Sequence, residues 1–347
     1  MIKTRNLVLL VVVLIVLLGI SWLQKSSHTR STSGSNMTVL LEGELTRDDV
    51  GRITVAYGLE GDVVELLATP EGWVVATAYD AKASDARVDA LLRNLANLTG
   101  EFRSDAADVV ADYGLDGDSS IRIRAFSPGG DEVLALDVGN SPERLPGNFV
   151  KSPDDSAVYL TQAGVLSHLG LYDGPARPKS THFADLQAAK QDRKDIDRIV
   201  LESEGERLDL AKEFALTEVA EDDTTGAEPT IDRLTWEWKA VSHGGKALAK
   251  TKVDAVQNAL TTIRAVDVDD PAGDAAAYGL EPAVRRATLV LEDGSERVFE
   301  YGAVREAVGD HPAGTWMRER GEPTVWVVTD YAVNSAFKTL EELLPDE

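Results

Sequence analysis

The hydrophobic pattern divides this chain into one continuous apolar segment and a much longer region in which apolar and polar positions alternate. Residues 7–23, LVLLVVVLIVLLGISWL, contain no charged side chain and follow Lys3 and Arg5. As a helix rising about 1.5 Å per residue, this run would be about 26 Å long, enough to cross a thin bilayer. The pattern therefore predicts an N-terminal transmembrane helix within an uncleaved membrane anchor at 1–23.

A cleaved signal peptide is the alternative interpretation of this segment, because Gly19 and Ser21 are small. Bulky neighbours surround both residues, and the apolar core of a signal peptide usually has only about 7 to 15 residues. The positive charges on the two sides of the apolar segment nearly balance, so they do not decide the orientation of the helix in the membrane. We therefore take the default, in which a long C-terminal domain is translocated. We expect a single-pass protein of the inner (cytoplasmic) membrane, with a periplasmic or otherwise extracytoplasmic C-terminal domain.

The chain beyond the anchor begins with a polar segment and then repeats itself. Residues 24–36 are rich in Ser and Thr and have no apolar period, which predicts a flexible tether. Further on, ADYGLDGD at 111–118 reappears as AAYGLEPA at 276–283. At the offset of this repeated motif, Trp73 aligns with Trp238 without a gap. The chain therefore contains two copies of one structural unit.

Each copy of the unit combines strand and helix patterns. Short β-branched stretches separated by Gly or Pro predict strands and hairpins, while apolar residues recur at helical spacing over 88–98 and 253–263. We therefore predict an α+β fold of two tandem similar repeats with mainly antiparallel sheets. The first repeat is expected at 37–180, a linker helix at 181–194 and the second repeat at 195–347.

The repeated Tyr-Gly-Leu follows an Ala-rich stretch in both copies. Ser104 in the first copy and Asp270 in the second could cap a short helix there. Glycine in the left-handed conformation is a common way to end a helix. The motif therefore predicts a helix stop at Gly114 and at Gly279 rather than a ligand-binding loop.

The second copy differs from the first in two places. It carries an insertion within 218–232 and a longer loop at 303–314. Tryptophan and arginine are the residue types that most often anchor protein interfaces. Trp316, Arg318 and Arg320, beside the longer loop, are therefore the candidate partner surface.

Composition narrows the possible functions. The 347 residues include 59 acidic and 35 basic side chains, a net charge of −24, and no cysteine. An acidic surface repels phosphate backbones, which makes nucleic acid an unsuitable partner. The absence of cysteine excludes disulfides, thiol nucleophiles and thiolate metal sites.

Motifs that could carry catalysis are weak. The five histidines are scattered, with no His-x-x-x-His pair. HGGKA at 243–247 lacks the spacing of a phosphate loop, and DVDDPAGD at 267–274 has Pro and Ala where a calcium loop needs a ligand and a glycine. Ser335 and Lys338 match a Ser-x-x-Lys nucleophile without its companion motifs. We predict no catalytic, cofactor-binding or metal site from these patterns.

The order of features in each copy carries a family resemblance. An I-x-x-I-x-V type opening strand, a Gly-Trp or Glu-Trp strand, a Val-Asp helix and Tyr-Gly-Leu follow one another, and a hairpin ending in Gly and a (Tyr/Trp)-Val strand complete the series. In this order, over about 48–345, the chain resembles the bacterial family of domain of unknown function 4340. The resemblance implies a membrane-anchored exported protein, often encoded beside ABC-type transport components similar to those named for gliding motility, and it brings no catalytic residues.

Two classes of function remain open at this point. We favour a non-enzymatic exported accessory or scaffold protein of an ABC-type transport system, with the lipid bilayer, through residues 7–23, and transporter membrane subunits as partners. No nucleic acid and no cofactor is expected. The rival is an exported envelope-acting hydrolase whose acidic residues converge from both repeats in a cleft. A third hypothesis, intermediate between these two, is a module that binds a small ligand between the repeats.

Overall fold

A computed structural model describes residues 37–41, 45–216 and 231–346, which form two mostly antiparallel sheets with helices packed on them. The expected anchor at 7–23 and tether at 24–36 lie outside the described residues. Within the described ranges, no helix is both long enough and apolar enough to span a membrane.

Ten strands form the first sheet, in the order β1-β6-β10-β9-β8-β7-β2-β3-β4-β5. Two helices accompany them, α1 (Asp85–Leu95) and α2 (Val165–His168). The strands are β1 (Met37–Val39), β2 (Arg52–Tyr57), β3 (Asp62–Thr69), β4 (Gly72–Val75), β5 (Ala81–Lys82), β6 (Thr99–Ser104), β7 (Ile121–Phe126), β8 (Glu132–Val138), β9 (Asn148–Lys151) and β10 (Val158–Thr161).

Nine strands form the second sheet, in the order β15-β19-β18-β17-β16-β11-β12-β13-β14. Three helices accompany them, α3 (Lys250–Thr261), α4 (Asp330–Ala336) and α5 (Leu340–Leu343). The strands are β11 (Ile196–Ser203), β12 (Glu206–Leu216), β13 (Ile231–Ala240), β14 (Lys246–Ala247), β15 (Ala265–Asp269), β16 (Arg285–Leu291), β17 (Glu296–Arg305), β18 (Gly314–Glu319) and β19 (Val325–Val328).

The two sheets have the same strand order once β1 is set aside. Strands β2 to β10 correspond one by one to β11 to β19, and every pairing between named strands is antiparallel. The α+β class and the mainly antiparallel sheets predicted from the pattern are confirmed. A shared strand order is what two copies of one folding unit would produce.

The amphipathic helix of each copy lies where its spacing predicts. Helix α1 buries Val88, Leu92 and Leu95 against the first sheet, and α3 buries Val253 and Leu260 against the second. Apolar side chains at a helical spacing of three and four form one face, which leaves the opposite face to water. The buried apolar side chains of both sheets belong to one contiguous core.

The Tyr-Gly-Leu motif ends a tight turn in both copies. Gly114 and Gly279 have φ values of 68° and 67°, the left-handed conformation that glycine adopts without steric cost. The turn before Gly114 is 3-10 rather than α-helical, and that before Gly279 consists of hydrogen-bonded turns. Both glycines therefore have the predicted left-handed conformation, whereas the short α-helices that they were predicted to end are not formed.

The linker helix expected at 181–194 is not formed. This segment has 3-10 turns at Ser180–His182 and Arg193–Asp195, and its middle is extended. The amide of Ala189 donates to the carbonyl of Ile263 at 3.2 Å. Pairing with the neighbouring strand edge satisfies backbone groups that a helix would have bonded internally, so the tertiary contact overrides the local pattern.

The hairpin of β12 and β13 is longer than its counterpart of β3 and β4. Its ladder ends at the pair Leu216–Ile231, and residues 217–230, most of the predicted insertion, lie outside the described residues. Beyond β13, Gly244 and Gly245 both have positive φ and turn the chain into β14. The HGGKA segment is thus a turn, as its sequence predicts.

Candidate functional site

Residues from both repeats and from the linker meet at one cleft, with a cavity volume of about 310 Å³. Thr77 and Tyr79 come from the first repeat, Thr181 from the linker, and Asp267 and His311 from the second repeat. We call this space the inter-repeat cleft. Clefts between structural units are common places for binding sites, so its chemistry is described in detail below.

Arg305, in β17, binds two aspartates that project from β15. Its Nη2 donates to Asp267 Oδ2 at 2.5 Å, and its Nη1 donates to Asp269 Oδ2 at 3.1 Å. His311 Nδ1 lies 2.9 Å from Asp267 Oδ2, and Trp316 Nε1 donates to Asp269 Oδ2 at 2.9 Å. These five residues form the Arg305 network. The two aspartates share one face of the strand because alternate residues point the same way.

Burial makes this network electrostatically strong. Asp267 is only 1 % exposed, so its charge requires the compensation that Arg305 provides. Burial alone would raise the pKa of Asp269, but hydrogen bonds from Trp316, the Asp270 amide and Arg305 outweigh it and hold the pKa below its usual value. Asp269 is therefore an ionised acceptor and not a proton donor at neutral pH.

Tyr79 stands at the mouth of the cleft in an unusual backbone conformation. Its φ of 57° lies in the left-handed region, which non-glycine residues rarely adopt. Burial, together with the charges of Asp269, Asp270 and Asp267, raises the pKa of the Tyr79 hydroxyl. The side chain thus faces the carboxylates of the other repeat, and strain of this kind concentrates at functional sites.

Arg177, near the end of the first repeat, bridges the two repeats beside the cleft. Arg177 Nε donates to Glu60 Oε2 at 2.9 Å, and its Nη1 lies 3.6 Å from Asp310 Oδ2. All three side chains are about half exposed. Exposed pairs of this kind contribute about 0–1 kcal/mol, so the bridge orients the surfaces more than it stabilises them.

Trp316, one of the three residues of the predicted partner surface, belongs to the Arg305 network. Its ring also packs on Tyr278 with centroids 4.9 Å apart, and burial and the neighbouring aspartates raise the pKa of Tyr278 to about 12. In the first repeat, Tyr113 and Phe149 form the corresponding pair at 4.6 Å. The ring stack is therefore a packing feature of the repeat, to which the second copy adds the indole hydrogen bond.

Arg318 and Arg320, the other two residues of that surface, converge on Glu300. Arg318 Nε lies 2.9 Å from Glu300 Oε2, and Arg320 Nη2 lies 2.6 Å from Glu300 Oε1. Burial would raise the pKa of Glu300, but the bonds from Arg320 and Arg318 outweigh it and lower the pKa. Both guanidinium groups are thus used within the fold, and Arg320 is the more exposed of the two.

The Ser-x-x-Lys pattern does not form a nucleophile pair. Helix α4 ends at Ala336, and Lys338 lies in the break before α5. Lys338 Nζ donates to Glu342 Oε1 at 3.0 Å. The Lys338 amine thus bonds to a carboxylate and not to the Ser335 hydroxyl.

The Arg305 network was missed by the sequence patterns. Asp267 and Asp269 lie in the acidic stretch interpreted as a helix start, and Arg305 and His311 border the longer loop of the second copy. Alternation of the two aspartates along a strand was the one available signal. In the described ranges, no cluster of three or more His, Asp or Glu side chains could hold a metal ion.

Comparison with known families gives one match. The family described as Domain of unknown function (DUF4340) matches residues 73–235, from β4 of the first sheet to β13 of the second. Neither the curated proteins nor the solved structures contain a match to this chain. This match supports the family resemblance carried by the repeated motifs, and over residues 73–235 the chain is similar to the DUF4340 family.

Proposed function

We propose that this protein is a non-enzymatic accessory of an ABC-type transport system, anchored in the inner membrane by residues 7–23 with its repeats outside the cytoplasm. One observation of the fold carries the non-enzymatic part of the proposal. Asp267, the buried carboxylate of the inter-repeat cleft, and Asp269, two residues further along the strand, are already bonded to Arg305. A general acid or base needs a pKa near the working pH, and the pKa of Asp269 is shifted away from it.

The loop at 303–314 supplies the proposed contact with the transporter. Val304 and Val308 are 58 % and 69 % exposed there, although valine is among the residues most often buried. The corresponding loop of the first repeat exposes Leu145. A loop lengthened in one copy, with apolar side chains in water beside Trp316, suits a docking surface for another protein.

Co-purification tests the accessory function. The full-length protein, tagged at its C-terminus and extracted in a mild detergent, should recover a transport ATPase and its permease at reproducible stoichiometry. The same extraction of a membrane protein with an unrelated single span serves as the control. Recovery of neither subunit, or equal recovery with the control, would contradict the proposal.

A reporter fusion tests the orientation separately. An enzyme that is active only outside the cytoplasm, fused after Glu347, should be active, and a reporter that needs the cytoplasm should be inactive at the same position. Activity of the cytoplasmic reporter alone would reverse the proposed topology. A detergent-free soluble protein with a new N-terminus beyond Ser21 would instead indicate cleavage.

A second candidate function rests on Asp267 and His311. An imidazole held by a buried carboxylate is the arrangement that hydrolases use to activate a hydroxyl, and Thr77 and Thr181 line the same cleft. If this pair catalyses hydrolysis, His311→Ala should abolish an activity that the wild-type chain shows on envelope peptides or polymers. Val308→Ala, on the same loop, is the matched control and should leave that activity unchanged.

A further inference from the structure

A second cavity, of about 520 Å³, lies on the second repeat away from the inter-repeat cleft. It opens between the turn that joins β11 to β12 and the break between α4 and α5. Leu208, Phe337 and Leu340 give it apolar walls, and Ser203 and Arg285 lie at one side. The rest of the lining is mostly polar or charged, so the cavity combines one apolar side with polar groups that can orient a small molecule.

Arg285 is the charged residue of this cavity that lies beside the Phe337 ring. Its Nε donates to Ser203 Oγ at 3.2 Å, and its guanidinium carbon lies 5.8 Å from the centroid of the Phe337 ring. Across the described ranges of the chain, no carboxylate lies within 4.0 Å of Arg285, and its two terminal nitrogens make no hydrogen bond. The serine contact and the aromatic ring fix the plane of the guanidinium group.

The lysine and the other arginine that line the cavity are already paired, and Glu204 and Glu206 also belong to its lining. Lys338 bonds to Glu342, and Arg207 Nη1 bonds to Glu202 Oε1 at 2.6 Å. The protein as a whole carries a net charge of −24, so a half-buried arginine with no carboxylate partner among the described residues differs from most of its surface. Arg285 therefore supplies a local positive centre at an apolar wall.

The corresponding place in the first repeat has no such centre. Ser203 and Arg285 are the terminal residue pair of the β11–β16 ladder, and Tyr57 and Ile121 are the terminal pair of the equivalent β2–β7 ladder. The shared fold therefore accepts uncharged side chains at both positions. The arginine is an addition of the second repeat and is not needed to build the sheet.

We propose that this cavity binds a small organic carboxylate that carries an apolar group. The two terminal nitrogens of Arg285 match the two oxygens of a carboxylate in a planar, bidentate arrangement. Phe337 and the two leucines contact the apolar part of the ligand. Inorganic phosphate is an anion like the proposed carboxylate, but it has no apolar group that could contact Phe337 and the leucines.

Binding of 3-phenylpropionate to the full-length protein in a nonionic detergent tests this site. Titration calorimetry or NMR line broadening should give a Kd of about 1 mM or tighter for the wild type. The neutral analogue 3-phenylpropanamide should bind about tenfold more weakly, because it cannot form the charged pair. Inorganic phosphate should bind more weakly than 3-phenylpropionate.

Substitutions assign the binding to Arg285. Arg285→Gln should weaken 3-phenylpropionate binding by about tenfold or more, and Arg285→Lys, which keeps the charge without the planar fork, should also weaken it. Arg264→Gln removes an exposed charge elsewhere and should bind as the wild type does. No binding by the wild type, equal binding of acid and amide, or phosphate binding tighter than 3-phenylpropionate would each overturn the proposal, as would unchanged binding by a folded Arg285→Gln.

Discussion

Single residues show where this fold concentrates charge, and Glu300 is the clearest case. It is 4 % exposed and contacts Arg318 and Arg320, with Arg286 Nη2 at 3.7 Å. Removing one partner of a buried ion pair leaves the others without compensation. Trp73 and Trp238, which align in the two copies, are both buried in the core. Glu300 was not predicted, because its partners lie on other strands.

Glu300→Gln should destabilise the protein by about 2 kcal/mol, because it removes the charge that compensates the arginines. The loss is no larger because the partly exposed arginines regain some hydration. Urea unfolding of the full-length protein in detergent measures this change. Glu296→Gln, at an exposed position of the same strand, is the matched control and should change the unfolding free energy by less than about 0.5 kcal/mol. Equal, small effects of both substitutions would mean that the ion pairs of Glu300 contribute nothing to the unfolding free energy.

The same carboxylate predicts a pH dependence. The pKa of Glu300 is lowered from its ordinary value of 4.5, so the folded state binds the proton less readily than the unfolded state. Its contribution is therefore fully present above that value and is lost as the pH falls through the lower pKa of the folded protein. Unfolding free energies measured from pH 7 downward should fall less steeply below pH 4.5 in Glu300→Gln than in the wild type. Parallel curves would contradict this assignment.

At the scale of elements, the repeated turn is held by a close approach of two backbones. The amide of Asn140 donates to the carbonyl of Tyr113, and that of Ala303 donates to the carbonyl of Tyr278, each at 2.8 Å. A Cβ atom on the preceding Gly302 would collide with the Tyr278 carbonyl oxygen. A Cβ atom on Gly139 would likewise collide with the Tyr113 carbonyl oxygen, and this contact is the physical reason for glycine at both positions.

Gly302→Ala should therefore cost about 1–3 kcal/mol, because the strand and the turn must separate to admit the methyl group. Gly61→Ala is the matched control, since no atom lies within 4 Å of the methyl group it would add. Thermal unfolding of the two variants in the same detergent compares them. A Gly302→Ala midpoint as high as that of Gly61→Ala would exclude the proposed close approach.

Elements were predictable where the pattern that defines them is local. The apolar spacing of α1 and α3 decides which face is buried, and it is visible in the sequence alone. The extended linker was mispredicted as a helix because its structure depends on pairing with Ile263, a residue distant in the chain. A break at 337–339 separates α4 from α5, and Thr339 caps α5 through a capping box with Glu342, a local signal that the sequence contains.

At the scale of the whole molecule, the duplication of the folding unit could be predicted from the sequence, and the inter-repeat cleft could not. Two copies of one motif series predict two copies of one strand order, which the sheets have. The cleft depends on how the copies pack, and Tyr79, Asp267 and His311 are brought together from distant parts of the chain. Nothing in a repeat pattern specifies the contacts between its copies.

The accessory function depends most on whether the loop at 303–314 contacts a transporter. A photo-crosslinking amino acid placed at Val308 in the full-length protein should form an adduct with a permease or ATPase subunit in intact cells, detected by mass spectrometry. The same amino acid at Leu145, exposed on the equivalent loop of the first repeat, should form none. Adducts with a transporter subunit from position 308 alone are the result that the proposal predicts. Absence of a transporter adduct from position 308, or equal adducts from both positions, would contradict it.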